Sequence, residues 1–239
     1  MLGMPSGGSP AAAGARWRAM NVSEALEGRI SVRAFRPDPV KGRVVREILE
    51  AAARAPSGGN LQPWRVCALA GEPLARFKTL AAAAPMEAAG YAIYPPRLWE
   101  PFRTRRFQCG EDLYGAIGID REDRPGRLAQ LARNLDFFGA PVGLFFCLDR
   151  NLGPPQWADL GMYMQSVMLL AEERGLDTCA QEFWAHYSRL VAGFIGLDDD
   201  HMVFSGMALG RRDETAPINA WRTRRDPFEA WGEMRGFDD

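Results

Sequence analysis

The chain has 239 residues and a mass of 26.5 kDa, and its composition is ordinary for a globular protein. Its net charge of −1, from 29 basic and 30 acidic residues, argues against a protein that binds nucleic acid or a membrane surface through a basic excess. Four widely separated cysteines and only two histidines argue against a metal site. We expect all four thiols (Cys67, Cys109, Cys147 and Cys179) to be buried and unreactive.

Residues 1–15 are rich in Gly, Ala, Pro and Ser and are predicted to be a disordered lead-in to one domain over residues 16–239. They have neither a basic start nor a continuous apolar segment, so they do not have the pattern of a signal peptide or membrane anchor. No apolar stretch elsewhere approaches the roughly 18 residues that cross a bilayer. The sequence therefore predicts a cytoplasmic protein.

The first half of the chain alternates between helical and extended patterns. Helices are predicted over residues 22–27, 43–55 and 73–84, and a strand over 64–70. Asn21 or Ser23 would be the N-cap of the first helix, and Pro56 would end the second. Residues 57–63 combine Ser, Gly, Asn and Pro, which predicts a loop.

The second half contains the clearest helical pattern of the chain. Prolines interrupt residues 85–106, and the predicted elements that follow are helices over 107–117, 127–138, 155–174 and 187–195 and strands over 142–148, 176–180 and 202–209. The strand over 202–209 is apolar on both faces, which is typical of a central strand. The irregular alternation of helices and strands predicts a mixed sheet surrounded by helices.

Common catalytic motifs are absent from the sequence. It contains no G-x-G-x-x-G after a strand, no phosphate-binding P-loop, no G-x-S-x-G and no H-E-x-x-H. A dinucleotide-binding Rossmann domain, a nucleotide triphosphatase and a hydrolytic triad therefore have little support.

The segment Arg29-Ile30-Ser31-Val32-Arg33-Ala34-Phe35 carries two arginines around a serine. In an extended chain, Arg29, Ser31 and Arg33 would lie on one side. Two guanidinium groups and a hydroxyl there are suited to charge-assisted hydrogen bonds with a phosphate. By itself the pattern can arise by chance in a chain with 27 arginines.

Residues 55–64, APSGGNLQPW, form a second candidate segment. Two glycines allow the backbone to approach a flat ligand closely, and Ser57, Asn60 and Gln62 offer hydrogen-bond donors and acceptors. A helix-to-strand turn with polar caps would also explain this composition.

Together, in this order and with one helix between them, the two segments resemble the nitroreductase superfamily of FMN-dependent oxidoreductases. That family begins with R-x-S-x-R-x-F and continues, after a helix, with A-P-S-x-x-N-x-Q-P-W. Further matches are residues 175–182, 207–210 and 219–228, so that the resemblance covers about residues 22–232. One departure is the pair Arg211 and Arg212, where the family commonly has Tyr-Pro.

The resemblance implies a role for each matching arginine. Arg29 and Ser31 would lie near the flavin phosphate, with Arg225 as a third ligand. Arg33 would lie near the pyrimidine edge of the flavin ring, where a fixed cation stabilises the negative charge that gathers on reduction.

The other cofactor-binding residues that the resemblance implies are Pro56, Ser57, Gly58, Asn60, Gln62, Ala180, Gln181 and Glu182. The first five would belong to a loop that one subunit lays against the flavin of its partner. The last three would present backbone N–H groups to flavin N5. No residue is expected to be a chemical acid or base, because the cofactor carries that chemistry.

The fold implied by the resemblance is α+β, with a mixed, mainly antiparallel sheet surrounded by helices, in an intertwined homodimer with two FMN sites at the interface. Residues 85–138 would form a variable helical lid. Its aromatic residues suggest a flat or apolar substrate, although ordinary packing would also explain them: Tyr91, Tyr94, Trp99, Phe102, Phe107, Tyr114, Phe137 and Phe138. Trp184 and His186 are expected to be packed structural residues.

The activity implied is hydride transfer from NADH or NADPH, bound transiently, through FMN to a nitroaromatic, quinone or similar flat acceptor by a ping-pong mechanism. The same flavin site would also suit reductive dehalogenation or reduction of an activated double bond. A flavin-binding module without enzymatic activity is the remaining alternative.

Overall fold

The computed structural model describes residues 20–237, so the predicted lead-in at 1–15 lies outside the described residues. The helices are α1 (Val22–Gly28), α2 (Gly42–Ala52), α3 (Gly71–Ala83), α4 (Phe102–Ala116), α5 (Arg124–Ala132), α6 (Pro154–Glu173), α7 (Ser188–Ile195) and α8 (Pro217–Ala220). The strands are β1 (Arg65–Ala70), β2 (Val142–Asp149), β3 (Asp177–Gln181) and β4 (His201–Gly210). Four short 3-10 helices, Gly58–Asn60, Arg133–Gly139, Glu182–Tyr187 and Phe228–Ala230, connect them.

The four strands form one sheet in the order β1-β2-β4-β3, and every neighbouring pair is antiparallel. A single parallel bridge between Ser31 and Thr178 extends the sheet beyond β3. Helices cover both faces, which confirms the predicted α+β class. The predicted central strand over 202–209 is also confirmed, because β4 lies between β2 and β3.

Two apolar cores lie on opposite faces of the sheet, since successive residues of a strand point to opposite sides. On one face, Phe145 of β2 packs against Phe77 and Trp184. On the other, Leu144 and Phe146 belong to a cluster built around α2 and α6. The sheet is thus buried on both sides and positions the loops at its edges.

The first helix begins where the sequence indicates. Asn21 is its N-cap: the Asn21 side chain accepts from the backbone N–H of Glu24, and the Glu24 carboxylate accepts from that of Asn21. The second helix ends at Ala52, before the expected boundary at Pro56, and residues 53–55 form a turn.

The lid region differs from the expected helices. Helix α4 begins five residues before the predicted start, and α5 ends at Ala132 rather than 138. The following Phe137 and Phe138 adopt left-handed φ values of 50° and 55° and are buried in the core. Their burial outweighs the helical pattern, so these two aromatics belong to the core and not to a substrate-facing lid surface.

The expectation of four buried thiols is wrong for Cys109. Cys147 and Cys179 are buried and Cys67 is partly buried, whereas Cys109 is exposed. Its helix, α4, lies on the surface and has no buried residue. Desolvation raises the pKa of the Cys147 thiol to about 12, so that this thiol is unreactive.

Candidate functional site

The arginine segment that precedes α2 has the predicted alternation. Ile30, Val32 and the following alanine are buried, while Arg29, Ser31 and Arg33 are partly exposed. The Val32 N–H donates to the Thr178 carbonyl at 3.0 Å, which attaches the segment to the outer edge of β3. The three polar side chains therefore project from one side of an extended chain.

These three side chains line a cavity of about 440 Å³, hereafter the arginine cavity. Its described lining consists of Leu26, Arg29, Ile30, Ser31, Arg33, Cys109, Trp221, Arg222, Thr223 and Arg225. Four of these residues are arginines, and none of the described lining residues is acidic. The structure thus brings Arg29, Ser31, Arg33 and Arg225 together, although the last is nearly 200 positions from the first. Such a site favours an anion, and guanidinium groups match the geometry of a phosphate.

Three of the four arginines of the cavity are partly anchored by hydrogen bonds and still keep further donors. Arg33 Nη1 donates to the Ser31 carbonyl at 3.1 Å, and Arg225 Nη1 donates to Thr223 Oγ1 at 2.6 Å. Arg222 Nη2 donates to the carbonyl of Glu27 in α1. Because a guanidinium has five N–H donors, these bonds hold the side chains in place and leave others for a ligand.

Asn219 of α8 fixes the path of the arginine segment. Its Oδ1 accepts from the backbone N–H of Arg33 at 2.9 Å, and its Nδ2 donates to the carbonyls of Ala34 and Asp213, each at 2.8 Å. The side chain is buried, so all three bonds form away from water. Asn219 thereby joins the arginine segment to the chain that leads into Arg222 and Arg225.

Residues 56–62 form a loop that hydrogen bonds hold in place beside α6, outside the arginine cavity. Its Gly58 N–H donates to the buried carboxylate of Asp159 at 3.2 Å, and Ser57 Oγ accepts from the Gln62 N–H at 3.0 Å. Asn60 and Gln62 adopt left-handed φ values of 57° and 49°. Such conformations are costly for side chains other than Gly and Asn and occur frequently at functional sites.

The 56–62 loop contributes no residue to the arginine cavity within the described chain. Pro56, Gly58, Asn60 and Gln62 are exposed, and Ser57 is partly buried. The loop is therefore held by hydrogen bonds within its own chain, and most of its residues are exposed on the surface.

Strand β3 ends in the predicted 180–182 segment. Because the Thr178 carbonyl points toward Val32, the backbone N–H of Ala180, two residues later, points to the same side, away from β4. Ala180 is exposed there. The Gln181 side chain is instead buried, and its Nε2 donates to the Asn134 carbonyl at 2.9 Å.

Glu182 lies beside two side chains of the lid region. Desolvation raises the pKa of its carboxyl, while Tyr94 and Arg106 act in the opposite direction. The Arg106 guanidinium lies 4.3 Å from the centre of the Tyr94 ring, a cation–π contact. The Tyr91 hydroxyl donates to the Phe204 carbonyl at 2.6 Å, and burial together with the Glu182 charge raises its pKa to about 12.

The two residues expected to be structural are packed. Trp184 is fully buried, and its Nε1 donates to Gln181 Oε1 at 3.3 Å. His186 is only partly buried, and its Nδ1 lies 3.1 Å from the Glu87 carbonyl. Neither residue lines the arginine cavity.

A family model of the nitroreductase family matches residues 26–211. The chain belongs to the nitroreductase family. A 4-nitrobenzoate reductase of Pseudomonas putida is 39% identical over 215 residues, covering 89% of this chain and 95% of that protein. A nitrobenzene nitroreductase of Ectopseudomonas oleovorans is 38% identical over 206 residues, covering 83% of this chain and 89% of that protein.

Solved structures of the nitroreductase family share the fold over most of the chain. The FMN- and NADPH-dependent nitroreductase NfnB from Sphigopyxis sp. strain HMH matches with a TM-score of 0.87 and 46% identity, covering 91% of this chain and 100% of that one. The FMN-dependent NfnB from Mycobacterium smegmatis, solved in complex with NADPH, matches with a TM-score of 0.85 and 27% identity, covering 90% and 100%. No helix among residues 20–237 has both the length and the apolarity needed to cross a membrane.

Sequence analysis of this nitroreductase-family chain did not assign a ligand role to four lining residues of the arginine cavity that carry a polar side-chain group. Trp221, Arg222 and Thr223 lie within the closing match over 219–228, in which only Arg225 was assigned a ligand role. The spacing of that motif would have indicated Arg222. Cys109 comes from the lid helix α4, and no pattern in the sequence connects it to the cavity.

Proposed function

We propose that this chain is an FMN-dependent oxidoreductase that passes hydride from NADPH or NADH to a nitroaromatic acceptor. The observation that carries the proposal is the arginine cavity, in which four guanidinium groups converge with no acidic residue among the described lining. Of the two solved nitroreductases described above, one is FMN- and NADPH-dependent and the other is FMN-dependent and was solved with NADPH bound, which agrees with this chemistry.

The residues of the arginine cavity fit the phosphate of FMN. Arg29, Ser31, Arg222 and Arg225 would hold it with charge-assisted hydrogen bonds, and a described lining without acidic residues suits a dianion. Arg33 would lie at the pyrimidine edge of the ring and stabilise negative charge there. When bound, FMN supplies the hydride chemistry by accepting two electrons from the nicotinamide and returning them to the acceptor.

The chain itself would orient the ring and exclude water from it. The N–H of Ala180 points away from the sheet and is available to hydrogen-bond the flavin edge. Glu182 and the backbone of Gln181 would complete this edge. None of these residues needs to transfer a proton.

We further propose a homodimer in which the 56–62 loop of one subunit completes the site of its partner. Hydrogen bonds within its own chain hold the loop, and its Leu61 is 58% exposed. Other large apolar side chains are exposed on α1, α6 and the C-terminal segment: Val22, Leu26, Met162, Phe228, Trp231, Met234 and Phe237. A second copy of the chain would cover exposed apolar side chains of this kind.

A single open site would accept the nicotinamide and the acceptor in turn, which corresponds to a ping-pong cycle. The exposed aromatic groups Tyr94, Trp99, Phe102 and Phe107 would favour a flat acceptor, either nitroaromatic or quinone. The exposed thiol of Cys109 suits a reducing compartment, so we propose a cytoplasmic location.

The test is to purify the protein, release its flavin by denaturation and identify it by chromatography. The proposal expects FMN at about one per chain, bleaching of the visible flavin band by NADPH or NADH, and recovery of the band with 4-nitrobenzoate or nitrobenzene. Parallel lines in initial-rate plots would support the ping-pong cycle. Bound FAD, or a flavin that reduced nicotinamides do not bleach, would contradict the proposal.

A further inference from the structure

A charge cluster with two buried carboxylates lines a second cavity, of about 620 Å³, at the position where the family's usual Tyr-Pro is replaced by Arg211 and Arg212. Arg212 binds the first residue of β3, Asp177, through its backbone N–H at 2.9 Å and through Nε at 2.6 Å. Its Nη2 lies 3.4 Å from Glu172 Oε1, in the last turn of α6. Glu172 and Asp177 are only 8% and 6% exposed. The three residues are hereafter the Arg212 cluster.

The Arg212 cluster contacts the residue immediately before the arginine segment. Arg212 Nη2 lies 3.5 Å from the carbonyl of Gly28, the last residue of α1. The Glu172 carboxylate packs against the same glycine, since a Cβ at position 28 would lie 3.2 Å from Glu172 Oε2. The next residue, Arg29, turns into extended backbone with φ −64° and ψ 126°. One guanidinium thus joins the ends of α1 and α6 to the start of β3.

The other end of the arginine segment is tied to the same stretch of chain. Phe35 forms a bridge with Arg212, and the Arg36 N–H donates to the Arg211 carbonyl at 2.9 Å. The segment that carries Arg29, Ser31 and Arg33 is therefore fixed at both ends by residues 211 and 212. A shift of Arg212 would displace the segment along the cavity wall.

We infer that Arg212, through Asp177 and Glu172, positions the Gly28–Arg29 backbone so that Arg29 enters the arginine cavity in the orientation that binds the FMN phosphate. Arg212 itself does not line this cavity, so it is a positioning residue and not a ligand. The inference rests on the proposed placement of the phosphate.

The charge balance of the cluster also gives the FMN affinity a pH dependence, which acts through charge and is separate from the positioning by Arg212. One guanidinium faces two buried carboxylates, and burial together with the Asp177 charge raises the pKa of Glu172 to about 7, while Arg212 and Arg29 act in the opposite direction. Other charged groups line the second cavity or form the nearby ion pair between α2 and the residue after α6: Glu24, Arg36, Arg211, Asp213, Glu214, Glu47 and Arg174. Ionisation of Glu172 above neutral pH adds a negative charge near Arg29, which opposes binding of a dianion.

The experiment compares FMN with riboflavin, which lacks the phosphate, on the full chain freed of its flavin. Arg212→Gln should weaken FMN binding about tenfold and change riboflavin binding by less than about twofold. The matched control is Arg211→Gln, because the Arg211 side chain donates to the Gly175 carbonyl at 3.1 Å and does not touch Gly28. This control should leave both affinities unchanged. Equal losses of FMN and riboflavin in Arg212→Gln would overturn the inference.

Glu172→Gln is a second variant that keeps the shape of the side chain and therefore the fold. Between about pH 7 and pH 8.5 the FMN affinity of the wild-type chain should fall about threefold, and in Glu172→Gln it should stay flat. An identical pH profile in both proteins would overturn the role of Glu172. Arg29→Ala tests the phosphate placement independently of Arg212. If this variant leaves the ratio of FMN affinity to riboflavin affinity unchanged, the proposed phosphate placement is wrong. If only Arg29→Ala changes that ratio, the proposed placement stands and the positioning role of Arg212 fails.

Discussion

Ser31 pairs with Thr178 in a single parallel bridge, and the adjacent Val32 N–H donates to the Thr178 carbonyl at 3.0 Å. This contact places the arginine segment against the free edge of β3, and Thr178 lies two residues before Ala180 on that edge. The phosphate-binding candidates and the proposed ring-facing N–H therefore lie along one continuous edge of the sheet. Their order matches a ligand with an anionic end and a flat end.

The first prediction concerns Arg222, the arginine of the cavity that sequence analysis did not assign as a ligand. Arg222→Gln should weaken FMN binding by about 1–2 kcal/mol, roughly tenfold, because it removes one charge-assisted donor from a solvent-accessible site. The neighbouring Arg224→Gln is the control, since Arg224 faces Asp112 and does not line the arginine cavity. Fluorescence titration at two salt concentrations measures both. Equal affinities for the two variants would remove Arg222 from the site.

The second prediction concerns the largely exposed 56–62 loop. Leu61→Asp should dissociate the dimer and release flavin, because a charge would be placed in a desolvated contact. Leu80→Asp on α3 is a matched control, with Leu80 47% exposed and outside this loop. Light scattering together with the flavin-to-protein ratio reports the outcome. A flavin-replete monomer of either protein would exclude a shared site.

The two N-terminal motifs could be predicted from the sequence because each uses local chemistry. Alternation alone places Arg29, Ser31 and Arg33 on one side, and the structure shows the intervening Ile30 and Val32 buried. The local sequence pattern could not predict which part of the chain each segment contacts. The Ser31 contact with Thr178 spans 147 positions and depends on the order of strands in the sheet.

Tertiary packing also decided the elements that sequence analysis misplaced. Residues 133–139 continue a helical pattern, yet Phe137 stacks on Trp184 at a centroid distance of 4.8 Å. The backbone at Phe137 adopts a left-handed φ of 50° and so leaves the helical path. The contacts of the Arg212 cluster were equally hidden, because the sequence marks Arg212 only as a departure from the family pattern and gives Glu172 and Asp177 no distinguishing feature until α1, α6 and β3 converge. Burial of charge is a property of the fold and not of the local sequence.

The third prediction tests the packing of the Phe137 ring against strand β2. A Cβ at Gly143 of β2 would lie 2.7 Å from Phe137 Cζ, so Gly143→Ala must displace a ring in the filled core. We expect a loss of about 1–3 kcal/mol in the free energy of unfolding. The control Gly193→Ala in α7 meets nothing within 4 Å and should stabilise by roughly 0.5–1 kcal/mol through helix propensity. Urea denaturation measures both changes, and a neutral Gly143→Ala would show that the ring has room to move.

The fourth prediction follows from the raised pKa of Glu172, about 7 in the folded chain against an ordinary value near 4.5. The folded state therefore binds a proton more tightly than the unfolded state. The stability that this tighter proton binding contributes is fully present below the unfolded pKa and is lost as pH rises through the folded pKa. Wild-type stability should accordingly fall between about pH 4.5 and pH 7 relative to Glu172→Gln. Parallel pH profiles of the unfolding free energy for the two proteins would mean that Glu172 titrates normally.

The last prediction separates the roles of two arginines that line the same cavity. Arg29, proposed at the phosphate, meets the same charge in both redox states of the flavin, so its loss should weaken binding without moving the reduction potential. Arg33, proposed at the pyrimidine edge, meets charge that gathers only on reduction, and only such differential contacts alter the redox chemistry. Losing one charge-assisted hydrogen bond costs about 1.5–3 kcal/mol, and for a two-electron couple about 1.4 kcal/mol corresponds to roughly 30 mV.

Arg33→Ala should therefore lower the flavin reduction potential by about 30–65 mV and slow turnover more than it weakens FMN binding. The anchoring of Arg33 supports a fixed cation, because its backbone N–H is held by Asn219 and its Nη1 by the Ser31 carbonyl. Spectroelectrochemical titration of Arg33→Ala and Arg29→Ala, beside FMN dissociation constants, measures both effects. If Arg33→Ala releases FMN and leaves the potential unmoved, Arg33 is a phosphate ligand, and the ring lies elsewhere along the edge of β3.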